Sequence, residues 1–119
     1  MSHSYQGSCH CGAVHFSYEG EEITKGIRCN CSICARKGAP MSTELLSTEQ
    51  LHIDAQEGTL GLYQFGLKTA KHYFCKQCGI YTFHETARKP GYFRVNLGCV
   101  DGVDTFALET DIFDGKHLL

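Results

Sequence analysis

Seven of the eight cysteines fall into three clusters, Cys9-His10-Cys11, Cys29-Asn30-Cys31-Ser32-Ile33-Cys34 and Cys75-Lys76-Gln77-Cys78. No other feature limits so strongly what the chain can fold into. Thiols crowded in this way are soft ligands and suit a thiophilic metal. The rival reading is a disulfide framework, but cysteines one residue apart bridge each other only with strain, whereas two thiolates reach around one ion easily. Metal ligation is therefore the expectation.

The composition removes several function classes. The net charge is -2, and the basic residues form no more than short pairs such as Arg36-Lys37 and Lys68/Lys71. Short pairs of this kind read as solvated surface, and without a basic stripe a nucleic-acid partner is not expected. The amino terminus has no basic segment leading into an apolar run, and no stretch approaches the roughly 18 apolar residues that a membrane helix needs. A soluble, cytoplasmic protein is expected, in a compartment where thiols stay reduced.

Along the chain, Ala13 to Tyr18 alternates, with Val14, Phe16 and Tyr18 on one face and His15 and Ser17 on the other. This is the pattern of a half-buried strand leaving the first cysteine pair. A second strand is expected over Ile23 to Arg28, leading into the cysteine triplet, and then one helical turn over Ser32 to Lys37 that Gly38 and Pro40 end. Strands are expected at Met41 to Leu46 and Leu51 to Ile53 around a turn at Ser47 to Gln50. Further short β-runs are expected at Gly61 to Phe65, Ala70 to Phe74, Ile80 to Glu85, Tyr92 to Leu97 and Thr105 to Leu108. No long segment keeps a helical period. The expected class is all-β, built of short antiparallel strands in one domain over residues 1–119.

A structural zinc site takes four ligands and closes, while a catalytic one takes three and keeps a position for substrate or water. Seven clustered thiols divide naturally in that way. Cys9, Cys11, Cys75 and Cys78 form two knuckles, each followed by glycine, that can meet on one ion. Cys29, Cys31 and Cys34 can form a tripod on a second. A permuted site joining Cys29 and Cys31 to one outer pair, or three free thiols, are the alternatives. Cys99 stands alone and reads as a small buried apolar residue rather than a nucleophile. His10, between two ligands, is expected to turn away from the ion.

The segments Gly7-Ser8-Cys9-His10-Cys11-Gly12-Ala13-Val14, Cys29-Asn30-Cys31-Ser32-Ile33-Cys34 and Tyr73-Phe74-Cys75-Lys76-Gln77-Cys78-Gly79 resemble, in order, the motifs of the glutathione-dependent formaldehyde-activating enzymes, whose domain also occurs in centromere protein V. The resemblance implies a β-tent fold, a structural zinc on Cys9, Cys11, Cys75 and Cys78, and a second, more labile zinc on Cys29, Cys31 and Cys34. It also implies addition of glutathione to formaldehyde, a carbon-sulfur lyase reaction run in the synthetic direction. Asn30 stands where family members often carry histidine, and the chain lacks the tryptophan that is common near their carboxyl end.

If the chain is an enzyme of this kind, Cys29, Cys31 and Cys34 carry the site as ligands of an open zinc, with a small thiol such as glutathione as substrate. His72 and His84 are candidates for a donor or proton shuttle. The competing readings are a non-catalytic zinc-binding protein-interaction module and a redox enzyme resembling the zinc-containing methionine sulfoxide reductases. The latter needs Cys99 as a low-pKa nucleophile.

Overall fold

The computed structural model describes residues 3–66 and 70–118; Lys68, one of the basic residues noted above, lies outside them. Eleven short strands form three sheets: β1 (His3–Ser8), β2 (Val14–Gly20) and β6 (Leu51–Ala55) make the first, in the order β1-β2-β6. The second has the order β5-β10-β9-β8-β7, from β5 (Leu46–Ser47), β10 (Tyr92–Val95), β9 (Tyr81–Glu85), β8 (Lys71–Cys75) and β7 (Leu60–Tyr63). The third is β11-β3-β4, from β11 (Glu109–Phe113), β3 (Lys25–Cys29) and β4 (Met41–Ser42). The class is all-β, and the helical turn expected over Ser32 to Lys37 is present as α1 (Ser32–Lys37), closed by Gly38 in the left-handed conformation at φ 66°.

The alternation in β2 works as the sequence implies. Val14, Phe16 and Tyr18 are buried while His15 and Glu19 are exposed. Their face meets the second sheet, where Phe83 is fully buried and packs edge-on against Phe16 at 6.0 Å and against Phe93 at 6.3 Å. Such aromatic contacts add about 0.5–1.5 kcal/mol each beyond the area they bury. Leu46, Val95 and Leu97 complete this core with no exposed surface.

Two expectations need correction: Met41 to Leu46 is not one strand but holds β4 and the start of β5, which lie in different sheets, and the last strand is displaced along the chain. Thr105 to Leu108 is a turn, not a strand, and Phe106 within it is fully exposed. The strand lies just after it, as β11, and pairs parallel with β3 from Glu109↔Lys25 to Phe113↔Cys29. Only one of its apolar residues, Phe113, is partly covered, and Ile112 is 69% exposed, so β11 is held by its backbone ladder and by the Lys25–Asp111 ion pair at 2.6 Å. No apolar alternation announces a strand of that type. Strand β1 is of the same kind: His3, Ser4, Gln6 and Ser8 carry no such signal, and six paired positions with β2 hold it in place. No helix of the described residues is long and apolar enough to cross a membrane.

Candidate metal centres

The first knuckle turns the chain from β1 into β2, and the second turns it from β8 into β9. The two are built alike. Cys9 N–H donates to the Val14 carbonyl at 3.0 Å and Cys75 N–H to the Ile80 carbonyl at 2.9 Å, each spanning five residues. The tightness of both turns requires positive φ at the glycine that follows, 85° at Gly12 and 82° at Gly79, where a Cβ is strained. Backbone N–H groups aim at the sulfurs: Val14 N–H at Cys9 Sγ (3.3 Å), and Gln77 and Cys78 N–H at Cys75 Sγ (3.3 and 3.4 Å). Donors placed in this way favour thiolate over thiol.

Cys9, Cys11, Cys75 and Cys78 bring all four Sγ atoms within 4.8 Å of one another. Cys9–Cys11 are separated by 3.7 Å and Cys11–Cys75 by 3.6 Å. Sulfurs at the corners of a tetrahedron around an ion 2.3 Å away are about 3.8 Å apart, so the donor set fits a closed four-thiolate site. Cys75 is wholly buried and Cys9 is 3% exposed.

The Sγ atoms of Cys29, Cys31 and Cys34 also lie within 4.8 Å of one another. Cys29 ends β3, Cys31 is the N-cap of α1, and Cys34 falls three residues on, which returns it to the same side of the helix. Cys31 N–H points at Cys29 Sγ at 3.4 Å. The loop is tied down from outside by Asn30. Its Nδ2 donates to Asp114 Oδ1 at 2.9 Å, its Oδ1 accepts from Lys116 N–H at 2.8 Å, and its N–H donates to the Phe113 carbonyl at 3.2 Å. The side chain that departs from the family's usual histidine therefore fastens the tripod loop to the end of β11 and to α2 (Gly115–Leu118).

The tripod opens onto a cavity of about 200 Å³. Its lining includes the three thiols, Ile27, Met41, Phe65, His72, His84 and the cations Lys37, Arg88 and Arg94; no acidic side chain of the described residues joins them. Arg94 is fixed by donating through Nη1 to the carbonyls of Ser42 (2.7 Å) and Thr43 (2.9 Å). Lys37 corrects the sequence reading. It is not solvated surface: its Nζ is buried with no hydrogen-bond partner and sits 4.3 Å above the Tyr81 ring. Burial holds the Lys37 ammonium below its usual pKa, against the pull of the Cys34 sulfur. Burial likewise pushes the Cys34 thiol up to about 12, with Lys37 opposing. Desolvation, reinforced by Lys37, depresses His72 to about 4 and holds His84 well below its usual range, so both imidazoles are neutral at neutral pH.

Residues 4–116 match the family profile of the glutathione-dependent formaldehyde-activating enzyme. The chain belongs to that family. A crystal structure of a Rhodobacter sphaeroides protein is 36% identical in sequence, covers 91% of this chain and 99% of its own, and superposes with a TM-score of 0.80. The residues matched by the family profile take in all three cysteine clusters, β11 and the start of α2.

Within this family framework, the structure brings together each cluster as the four-plus-three division expects, and the two clusters could each hold a metal ion. His10 is exposed. Cys99 is partly buried beside the closed site, and burial raises its thiol to about 11, with Cys9 and Cys78 adding to the effect. That is the opposite of the low-pKa nucleophile the redox reading needs. Among the charged residues of the cavity, the sequence reading took Lys37 for surface and did not single out Arg88 or Arg94, whose spacing along the chain carries no pattern.

Two outcomes follow from this geometry. Cys75→Ser breaks the closed site in a buried position and is expected to cost about 3 kcal/mol or more, roughly 10 °C in Tm, whereas Cys31→Ser is expected to leave Tm within about 3 °C; thermal unfolding of both variants checks this. The depressed histidines also bind fewer protons folded than unfolded as pH falls from about 6.5 toward 4, so the stability they contribute is complete above that window and is lost through it. Urea unfolding of the protein and of His84→Gln across pH 4–7 should show the shallower pH dependence in the variant. Protonation of the cysteine sites is common to both and cancels in the difference.

Proposed function

We propose that the chain joins a carboxylate-bearing thiol of the glutathione class to formaldehyde, giving the S-hydroxymethyl adduct, and catalyses the reverse cleavage. The observation that carries this reading is the contrast between the two thiol clusters: one closes on itself, and the other faces a cavity whose charged lining is cationic. In this reading zinc is the metal of both sites, structural at Cys9, Cys11, Cys75 and Cys78 and exchangeable at Cys29, Cys31 and Cys34. Bound at the tripod, it would supply a Lewis acid that disfavours the proton on an incoming thiol. The protein works in the cytoplasm, where reduced thiols are abundant.

The chain's own residues have separate tasks. Lys37, with Nζ buried and unpartnered, is placed to receive an anionic group. Arg94, immobilised by Ser42 and Thr43, and Arg88, set 4.9 Å over the Phe113 ring, extend the cationic wall. Phe65, Ile27 and Met41 exclude water from the reacting atoms. Holding thiol and aldehyde together then converts a bimolecular encounter into one within the site.

Native mass spectrometry with and without glutathione tests the reading: two zinc ions per chain, with glutathione altering only the second, is the expected result, and a single zinc with no glutathione binding would sink it. A second measurement separates binding from folding. Lys37→Met removes a buried ammonium that has no hydrogen-bond partner and only the Tyr81 ring and the Cys34 sulfur beside it, so Tm should hold or rise, while affinity for glutathione should fall about tenfold or more. Cysteamine, a thiol without carboxylates, should bind both forms equally in the same calorimetric titration.

A further inference from the structure

Tyr81 stands at the start of β9 with its hydroxyl between two imidazoles, 2.7 Å from His72 Nδ1 and 2.9 Å from His84 Nδ1. His72 and His84 face each other across the β8–β9 ladder, and His72 is 5% exposed. The His72 ring is further pinned by stacking on Phe65 at 5.8 Å. Tyr81 itself is held on its other side by the Lys37 ammonium over its ring.

A phenol has one proton to give. If both Nδ1 atoms were bare, they would compete for it and one would be left buried without a partner. If both carried hydrogen, the phenol proton would have no acceptor. Leaving such a group unsatisfied costs about 1–3 kcal/mol. The arrangement that satisfies all three groups has one imidazole accepting from Tyr81 and the other donating to it, hence opposite tautomers. Each ring has one nitrogen left, Nε2: bare on the ring that donates to Tyr81, protonated on the ring that accepts from it. Both rings line the cavity that holds Cys29, Cys31 and Cys34.

We infer that His72, Tyr81 and His84 form a proton relay that offers this cavity one proton acceptor and one proton donor, and so moves the thiol proton to the oxygen of the aldehyde. The inference rests on the thiol–aldehyde reading above. The S–H bond breaks as the bare Nε2 takes its proton, and the sulfur lone pair forms the C–S bond while the C=O π pair moves to oxygen. The protonated ring passes its Nδ1 proton to Tyr81, Tyr81 passes its own to Nδ1 of the other ring, and that ring's Nε2 proton goes to the alkoxide. One proton enters, one leaves, and nothing is oxidised. The rings finish with tautomers exchanged, which is the state required for the reverse cleavage; exchange with solvent resets them for another forward turn. Neutral rings suit this role, since a charged imidazolium would have no bare nitrogen to begin it. In this scheme His72 and His84 touch the reactants, and Tyr81 is a positioning residue that acts through them.

The test begins with the unaltered protein. Long-range 15N–1H correlation spectra of the imidazoles should show one of the two rings protonated at Nδ1 and the other at Nε2; the same tautomer in both would overturn the inference without recourse to any variant. Tyr81→Phe keeps the ring and its contact with Lys37 but removes the hydroxyl, so the two rings should lose their opposed tautomers. In two-dimensional exchange NMR of glutathione with formaldehyde, its kcat should fall about 100-fold with KM unchanged. A fall of less than twofold would overturn the relay while leaving the thiol–aldehyde reading intact. If the unaltered protein does not accelerate that exchange, the thiol–aldehyde reading fails and the relay's reaction with it.

Discussion

Four sulfurs from two sheets meet at one point. Cys9 and Cys11 sit in the turn between the first two strands of one sheet, and Cys75 and Cys78 in a hairpin turn of another, so the cluster is where two sheets are joined side chain to side chain. Four thiolates within 4.8 Å repel one another strongly without a cation between them, whereas with one they form a closed tetrahedral set. The junction adjoins a core of aliphatic and aromatic side chains around Phe83, to which Cys9 and Cys75 themselves belong. The N–H groups directed at Cys9 and Cys75 show that the turns are shaped around the sulfurs and not merely tolerant of them.

The second cluster is arranged on different terms. It rests on the end of β3, whose neighbour β11 arrives from the far end of the chain, and Asn30 ties the loop to Phe113 of that strand through its N–H and to Asp114 and Lys116 just beyond it through its two amide atoms. Everything about that site is supported from one side and left accessible on the other. The cavity it faces is unusual for a chain of net charge -2: Lys37, Arg88 and Arg94 supply its fixed charge, and acidic residues are kept out of the described lining. A buried ammonium with no partner costs stability. The histidines next to Lys37 are depressed first by their own burial, and the Lys37 charge adds to that.

The metal-binding logic was legible from spacing alone, because ligands two or three residues apart are confined by local geometry to share an ion, and glycine after each outer pair marks the tight turn. The alternation of Val14, Phe16 and Tyr18 identified the inward face of β2 for a similar reason: a strand's side chains point to opposite faces whatever surrounds it. The same reasoning located α1 and most strands of the five-stranded sheet. It failed for β1 and β11, whose positions are held by backbone pairing with β2 and β3 and which have almost no apolar pattern to detect.

What the sequence by itself determined, then, is the class of fold, the family, and the division of seven thiols into four and three, since each of these is written in local spacing. Tertiary structure alone decided the rest. Lys37, His72, His84 and Arg94 come from four different elements and meet only because α1, β8, β9 and β10 converge on one cavity, with Tyr81 of β9 behind the two imidazoles. The burial that makes Lys37 an unpartnered cation and keeps both imidazoles neutral belongs to that convergence. Desolvation is a property of a place in the fold, and no residue carries it along the chain.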